Sequence, residues 1–146
     1  MTTTLVAVAQ RAKARLFLHE GPGRGLTEVE DLVSPRARLA DGEVETDRPG
    51  HTHDSFGRSH PLERQQSPKE RAAEDFAREV AQAIAKRRTG AGFDRLVLVA
   101  EPGFLGMLRA ALDAPTARLL DGEVRKELTE LAPDRLAPHL GEVLAV

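Results

Sequence analysis

The order of patterns in this 146-residue sequence predicts an α/β fold. It consists of a mixed sheet, with an antiparallel N-terminal meander and parallel central strands, flanked by about three helices. Three observations carry that prediction. Leu96 to Ala100 is an unbroken apolar run with β-branched residues, reading as a strand buried on both faces. Glu101-Pro102-Gly103 stops it, and Phe104, Leu105, Leu108 and Leu112 then fall on one helical face, so strand, turn and helix form half of a βαβ unit. Upstream, residues 4–33 read as three short strands, which predicts the meander.

Taken in order, Thr4 to Ala9 is the first strand, Gln10 to Lys13 a turn, and Ala14 to His19 the second strand. Arg11, Lys13, Arg15 and Phe17 alternate with Ala12, Ala14, Leu16 and Leu18, the period of a strand. Gly21-Pro22-Gly23-Arg24-Gly25 is a loop between strands. It lacks the Lys-Ser/Thr pair and the following helix that a phosphate loop needs. Leu26 to Val33 is an outer strand with imperfect alternation.

A polar loop over about residues 36–67 follows. From Asp41 to Ser67 its large apolar residues are Val44, Phe56 and Leu62, too few to bury a core of their own. A loop of this length inside a domain is expected to be either functional or disordered. It ends in a strong helix start: Ser67 as N-cap, Pro68 at the first helical position and Glu70 three residues after the cap. Phe76, Val80 and Ile84 form the apolar stripe of a helix predicted from Pro68 to about Arg88, with Lys86-Arg87-Arg88 at the end that suits the helix dipole. Past the Leu112 helix, Ala117 to Leu120 reads as a short strand and Asp121-Gly122 as a turn. Val124 to Leu131 is ambiguous. A last helix from Pro133 carries Leu136, Leu140 and Leu144, with Pro138 kinking it or resetting its start.

Composition narrows the function classes. The length suits one domain, 1–146, with a real core. A formal net charge of −2 argues against a general nucleic-acid coat, and the absence of Cys excludes disulfides, thiolate catalysis and Cys-based metal sites. No Trp or Tyr is present, so base-stacking platforms are scarce. The apolar run Leu5 to Ala9 has no basic residue before it and is too short for a signal-peptide core or a membrane span. A cytoplasmic protein without membrane association is therefore expected. No cofactor motif and no enzyme signature such as Gly-x-Ser-x-Gly or His-Glu-x-x-His occurs, so no cofactor and, more readily than an enzyme, a non-catalytic protein is expected.

The candidate site residues fall in two places. The loop carries Arg48, His51, His53, Arg58, His60 and Arg64, groups suited to phosphates or to another partner. The three histidines would add donors below about pH 6.5. Metal ligation by His51, His53 and Asp54 would need a fixed geometry that a solvated polar loop does not guarantee, and no metal is assigned. The second place is Glu101-Pro102-Gly103, at the carboxyl end of a strand, where open α/β sheets bind ligands. Glu101 there is a general base for a hydrolase or, more simply, a carboxylate at the start of a helix. Arg11, Lys13 and Arg15, with Arg36 and Arg38, form either a solvated edge or a polyanion patch.

Several stretches, LVAVAQRAKARLF, TDRPGHTHDSFG, SPKERAAEDFAREVA, FDRLVLVAEPGFLGMLRAAL and KELTELAPDRLAPHL, together resemble the bacterial host-attachment family, proteins required for attachment to host cells. Asp47-Arg48-Pro49-Gly50 and Pro102-Gly103-Phe104-Leu105-Gly106 are the most specific pieces. This chain departs from the family's usual Asp-Gly near Gln10-Arg11. The resemblance implies a part in attachment, and the lack of an export signal, anchor or repeat fits an indirect, intracellular role better than an exposed adhesin.

The element order is also similar to the middle domain of eukaryotic and archaeal class-one release factors, whose loop before the first helix carries Gly-Gly-Gln. Here the loop has Gly57 and Gln65-Gln66 but no Gly-Gly-Gln. That resemblance implies the fold and a ribosome, tRNA or other RNA partner, without peptidyl-tRNA hydrolysis. A protein partner in attachment is the alternative.

Overall fold

The computed structural model describes residues 2–34 and 67–144. Its sheet has five strands in the order β3-β2-β1-β4-β5: β1 (Thr4–Ala9), β2 (Lys13–His19), β3 (Thr27–Val33), β4 (Arg95–Val99) and β5 (Leu120–Val124). β1, β2 and β3 pair antiparallel, whereas β4 runs parallel to both β1 and β5. This is the mixed α/β sheet that the sequence predicts. β1 lies in the middle, with every residue buried, which is why its apolar residues do not alternate with polar ones.

Each face of the sheet has its own core. On one, Leu5, Leu16, Leu96 and Leu98 pack against α1 (Pro68–Thr89) and α2 (Pro102–Ala111) through Phe76, Val80, Ile84, Phe104, Leu105 and Leu108. The rings of Phe76 and Phe104 stack at 6.3 Å between centroids, joining the two helices. On the other face, Val6, Val8, Phe17, Val97 and Val99 are covered by Leu128, Leu136, Leu140 and Leu144. These come from a mostly irregular stretch that holds a one-turn helix, α4 (Pro133–Leu136), and a 3₁₀ turn over Ala137–Leu140.

The caps are those the sequence offers. Ser67 Oγ accepts from the Glu70 amide at 3.1 Å, and Pro68 opens α1. In the β2–β3 connection, Gly21, Gly23 and Gly25 have positive φ, and no helix follows, so this glycine-rich segment is a loop between strands.

Near the C-terminus the structure corrects the sequence. Ala114–Ala117 is a short helix, α3, capped by Asp113, where a strand was expected from Ala117. The strand comes later, and Asp121-Gly122 lies inside it instead of forming a turn. The reason is packing: a Cβ on Gly122 would sit 2.8 Å from Val143 Cβ, so the strand has a glycine where another segment approaches. The pairing of β4 with β5 shifts register between Leu96 and Val97, just before Gly122. Residues 125–131 form neither helix nor strand. Among the described residues no helix is long and apolar enough to cross a membrane.

Candidate functional site

The parallel strands β1, β4 and β5 point their carboxyl ends to one edge of the sheet, where ligands bind in open α/β folds. Two consecutive residues leave β1 there, and alternation sends their side chains to opposite faces. Gln10 reaches the irregular face, where its Nε2 donates to Thr129 Oγ1 at 3.0 Å and to Glu127 Oε2 at 3.3 Å. Arg11 reaches the helical face, where NH1 donates to Glu70 Oε2 at 3.3 Å and Nε lies 3.8 Å from Glu101 Oε2.

Glu101 is the N-cap of α2. Its Oε1 accepts from the Gly103 amide at 2.7 Å and its Oε2 from the Phe104 amide at 3.0 Å. The carboxylate therefore satisfies two of the amides that a helix start leaves without intrahelical partners. Gly103 leaves room for this arrangement, since a Cβ there would lie 3.2 Å from Glu101 Oε1 and 3.6 Å from an Arg11 nitrogen. With both oxygens committed and Arg11 alongside, Glu101 has the geometry of a helix cap, not of a base aimed at a substrate proton.

Glu127 anchors the other side. Its Oε2 accepts from the Thr129 amide at 3.1 Å, from the Thr129 hydroxyl in a very short contact, and from Gln10. Burial pushes its carboxyl up, but the hydrogen bonds from Thr129 and Gln10, with the Lys13 charge, outweigh that and hold it below the usual value. The Thr129 hydroxyl next to a carboxylate has the form of an activated nucleophile, but Thr129 is 1% exposed and closed to substrate.

The basic stripe on β2 is neutralised. Lys13 pairs with Glu130 at 2.6 Å. Arg15 pairs with Glu28 at 3.0 Å, lies 4.9 Å over the Phe17 ring, and donates from NH1 to the carbonyls of Thr129 at 2.9 Å and Leu131 at 2.6 Å. The stripe therefore ties the irregular stretch to the sheet, and its two strand cations are already matched by carboxylates. Arg11 stands in the turn before β2, at the site edge.

Arg48, His51, His53, Arg58, His60 and Arg64 lie outside the described residues, as do Arg36, Arg38 and Asp54. Both flanks of their segment are described, and they arrive together. The Ser34 amide donates to the Ala12 carbonyl at 2.8 Å, and Ser67 caps the helix whose Glu70 meets Arg11, the neighbour of Ala12. Glu101 and the two ends of the segment thus share one edge of the sheet. The sequence signal for this is slight: Arg11, Glu70 and Glu101 are far apart in the chain, and only the parallel pairing of β1 with β4 brings them together. Among the described residues, no three His, Asp or Glu converge as a metal site.

The family model for "Protein required for attachment to host cells" matches residues 5–140. The chain belongs to this host-attachment family. No curated protein sequence matches it. Among solved structures, the archaeal translation termination factor aRF1 aligns at a TM-score of 0.50 and 12% identity, covering 83% of this chain and 29% of the factor. An archaeal protein aligns at 0.48 and 12% identity over 96% of this chain and 38% of its own length. A PPX-GPPA enzyme of Aquifex aeolicus aligns at 0.38 and 8% identity over 84% of this chain and 36% of its own length. The host-attachment chain thus spans roughly a third of each neighbour or a little more. The likeness to the termination factor is one of fold, and it agrees with the element order of the release-factor middle domain.

Proposed function

We propose that this host-attachment protein is a non-catalytic, cytoplasmic binding module that contacts ribosomal RNA, tRNA or another RNA through its 35–66 segment. Arg48, Arg58 and Arg64 contact phosphates, and His51, His53 and His60 supply further donors. The observation that favours this reading is the anchoring of both ends of the segment, at Ser34 and Ser67, on the carboxyl edge of the sheet. A rigid α/β body holding a long polar segment at one edge is a common way to present binding residues. The folded edge itself adds little attraction for phosphate, because Glu70, Glu101, Glu127 and Glu130 offset Arg11 and Lys13 there. In this reading the positive groups are those of the segment, Arg48, Arg58 and Arg64. A termination factor is a translation protein, and sharing its fold makes the ribosome the first partner to test.

The test replaces Arg48, Arg58 and Arg64 together by Ala and measures RNA binding across a salt series. Loss of three phosphate contacts lowers the salt slope by about two, at roughly 0.7 per contact for single strands. Unchanged affinity and slope would remove the segment from the interface. The family description favours a second reading, a protein partner in attachment. That reading predicts partner capture that survives RNase and is lost when the segment is replaced.

A further inference from the structure

A second feature lies at the carboxyl end of β5, apart from the Arg11–Glu70–Glu101 contacts. Residues 123–126 line one side of an open cleft of about 600 Å³, and Pro138, His139 and residues 141–143 line the other. The far wall is held in place. Val143 packs onto the bare Cα of Gly122, its carbonyl accepts from Arg95 NH2 at 3.1 Å, and Leu140 and Leu144 on either side are buried.

Three basic side chains and two carboxylates line this cleft. Arg125 and Lys126 come from the strand side, and His139 faces them. Lys126 Nζ donates to His139 Nδ1 at 3.2 Å. An ammonium has no acceptor, so Nδ1 carries the lone pair and the ring proton sits on Nε2, leaving lysine and imidazole both as donors. Glu123 is engaged mainly by Arg109, which donates to both of its oxygens at 2.9 and 3.3 Å and, with a smaller contribution from the Arg125 charge, holds its carboxyl below the usual value. Glu142 is the remaining carboxylate in the lining. The contacts of this cluster thus include two basic groups within hydrogen-bond distance and no carboxylate between them.

We infer that this cleft binds the phosphate group of a small phosphate monoester, with Arg125, Lys126 and His139 as the phosphate donors. The volume lies in the range of small-molecule sites and well above what a bare phosphate fills. Val124, Pro138 and Val143 supply the apolar part of the wall, and Glu142 an acceptor for hydroxyl groups. Among the described residues no aromatic side chain lines the cleft, so a phosphorylated sugar or polyol suits it better than a stacked base. The inference does not rest on the RNA reading, since its donors are Arg125, Lys126 and His139.

The test is a two-dimensional amide NMR titration of the full chain with ribose 5-phosphate, inorganic phosphate and unphosphorylated ribose at fixed ionic strength. Saturable shifts at Arg125, Lys126, Gly141 and Val143 are expected with the first two, tighter with ribose 5-phosphate, and none with ribose. Arg125→Ala and Lys126→Ala each weaken binding by roughly tenfold, the loss of one charge-assisted contact. Both residues are exposed, and an unchanged spectrum away from the cleft shows that each variant still folds. Shifts that do not saturate, that centre elsewhere, or that persist unchanged in both variants would overturn the site. Phosphate binding as tightly as ribose 5-phosphate would overturn the monoester.

Discussion

The two faces of the sheet are covered by different means. On the helical face, α1 and α2 satisfy their own backbones and contribute mainly apolar side chains, with Phe76 and Phe104 stacked at the centre. On the other face, the stretch after β5 has little regular structure, and sheet side chains satisfy its carbonyls: Arg15 serves Thr129 and Leu131, and Arg95 serves Val143. One face is stabilised by apolar burial within regular elements, the other by burial plus a few long-range hydrogen bonds. Both proposed binding features border the irregular covering. The phosphate cleft lies among the irregular residues, and the edge shared with the 35–66 segment lies where the two coverings meet.

That contrast can be broken by substitution. Phe104→Ala removes a fully buried ring from the helical face and should lower global stability by about 3–5 kcal/mol in urea unfolding. A loss below about 1 kcal/mol would mean that the helices are not the main core, against the usual cost of such a cavity. Gly122→Ala pushes a methyl into Val143 and should cost about 1–3 kcal/mol, with amide shifts concentrated at residues 138–144. Arg15→Met strands the two carbonyls it serves and the Glu28 carboxylate, and should cost a similar ~1–3 kcal/mol. Its distinguishing mark is faster amide exchange at residues 126–131 while α1 keeps its protection.

The smallest effect is on pH dependence. Glu123 is lowered by its Arg109 hydrogen bonds, and Glu127 is lowered on balance against burial. A carboxylate with a depressed folded value contributes stability fully above its unfolded value, near 4.5, and loses it as pH falls through the folded value. Stability should therefore decline below about pH 4.5, and Glu123→Gln and Glu127→Gln should each make that decline shallower. An acid limb unchanged in both variants would remove these pairs from the account.

What was legible in the sequence follows the same division. α1 announces itself through Ser67, Pro68 and Glu70, and β1 and β4 through apolar runs, because local chemistry alone sets those elements. β5 was misplaced because Asp121-Gly122 looks like a turn, while its glycine is there for Val143, twenty-one residues on. Val124 to Leu131 stayed ambiguous because Arg15, a residue of β2, holds it. Of the candidate site, Glu101 was visible from its place after a strand. Its contacts with Arg11, and those of Arg11 with Glu70, depend on strand pairing that no local pattern encodes. The grouping of Arg125, Lys126 and His139 was hidden for the same reason.

The proposed contact of the 35–66 segment with the ribosome is open to a direct test. Co-sedimentation with bacterial ribosomes, at low and high salt, tests it most directly when the intact chain is compared with one whose segment is replaced by a short Gly-Ser linker between Ser34 and Ser67. The account predicts that the intact chain pellets with ribosomes at low salt, is released at high salt, and that the linker version stays in the supernatant. Equal sedimentation of both versions, or of neither, would contradict it.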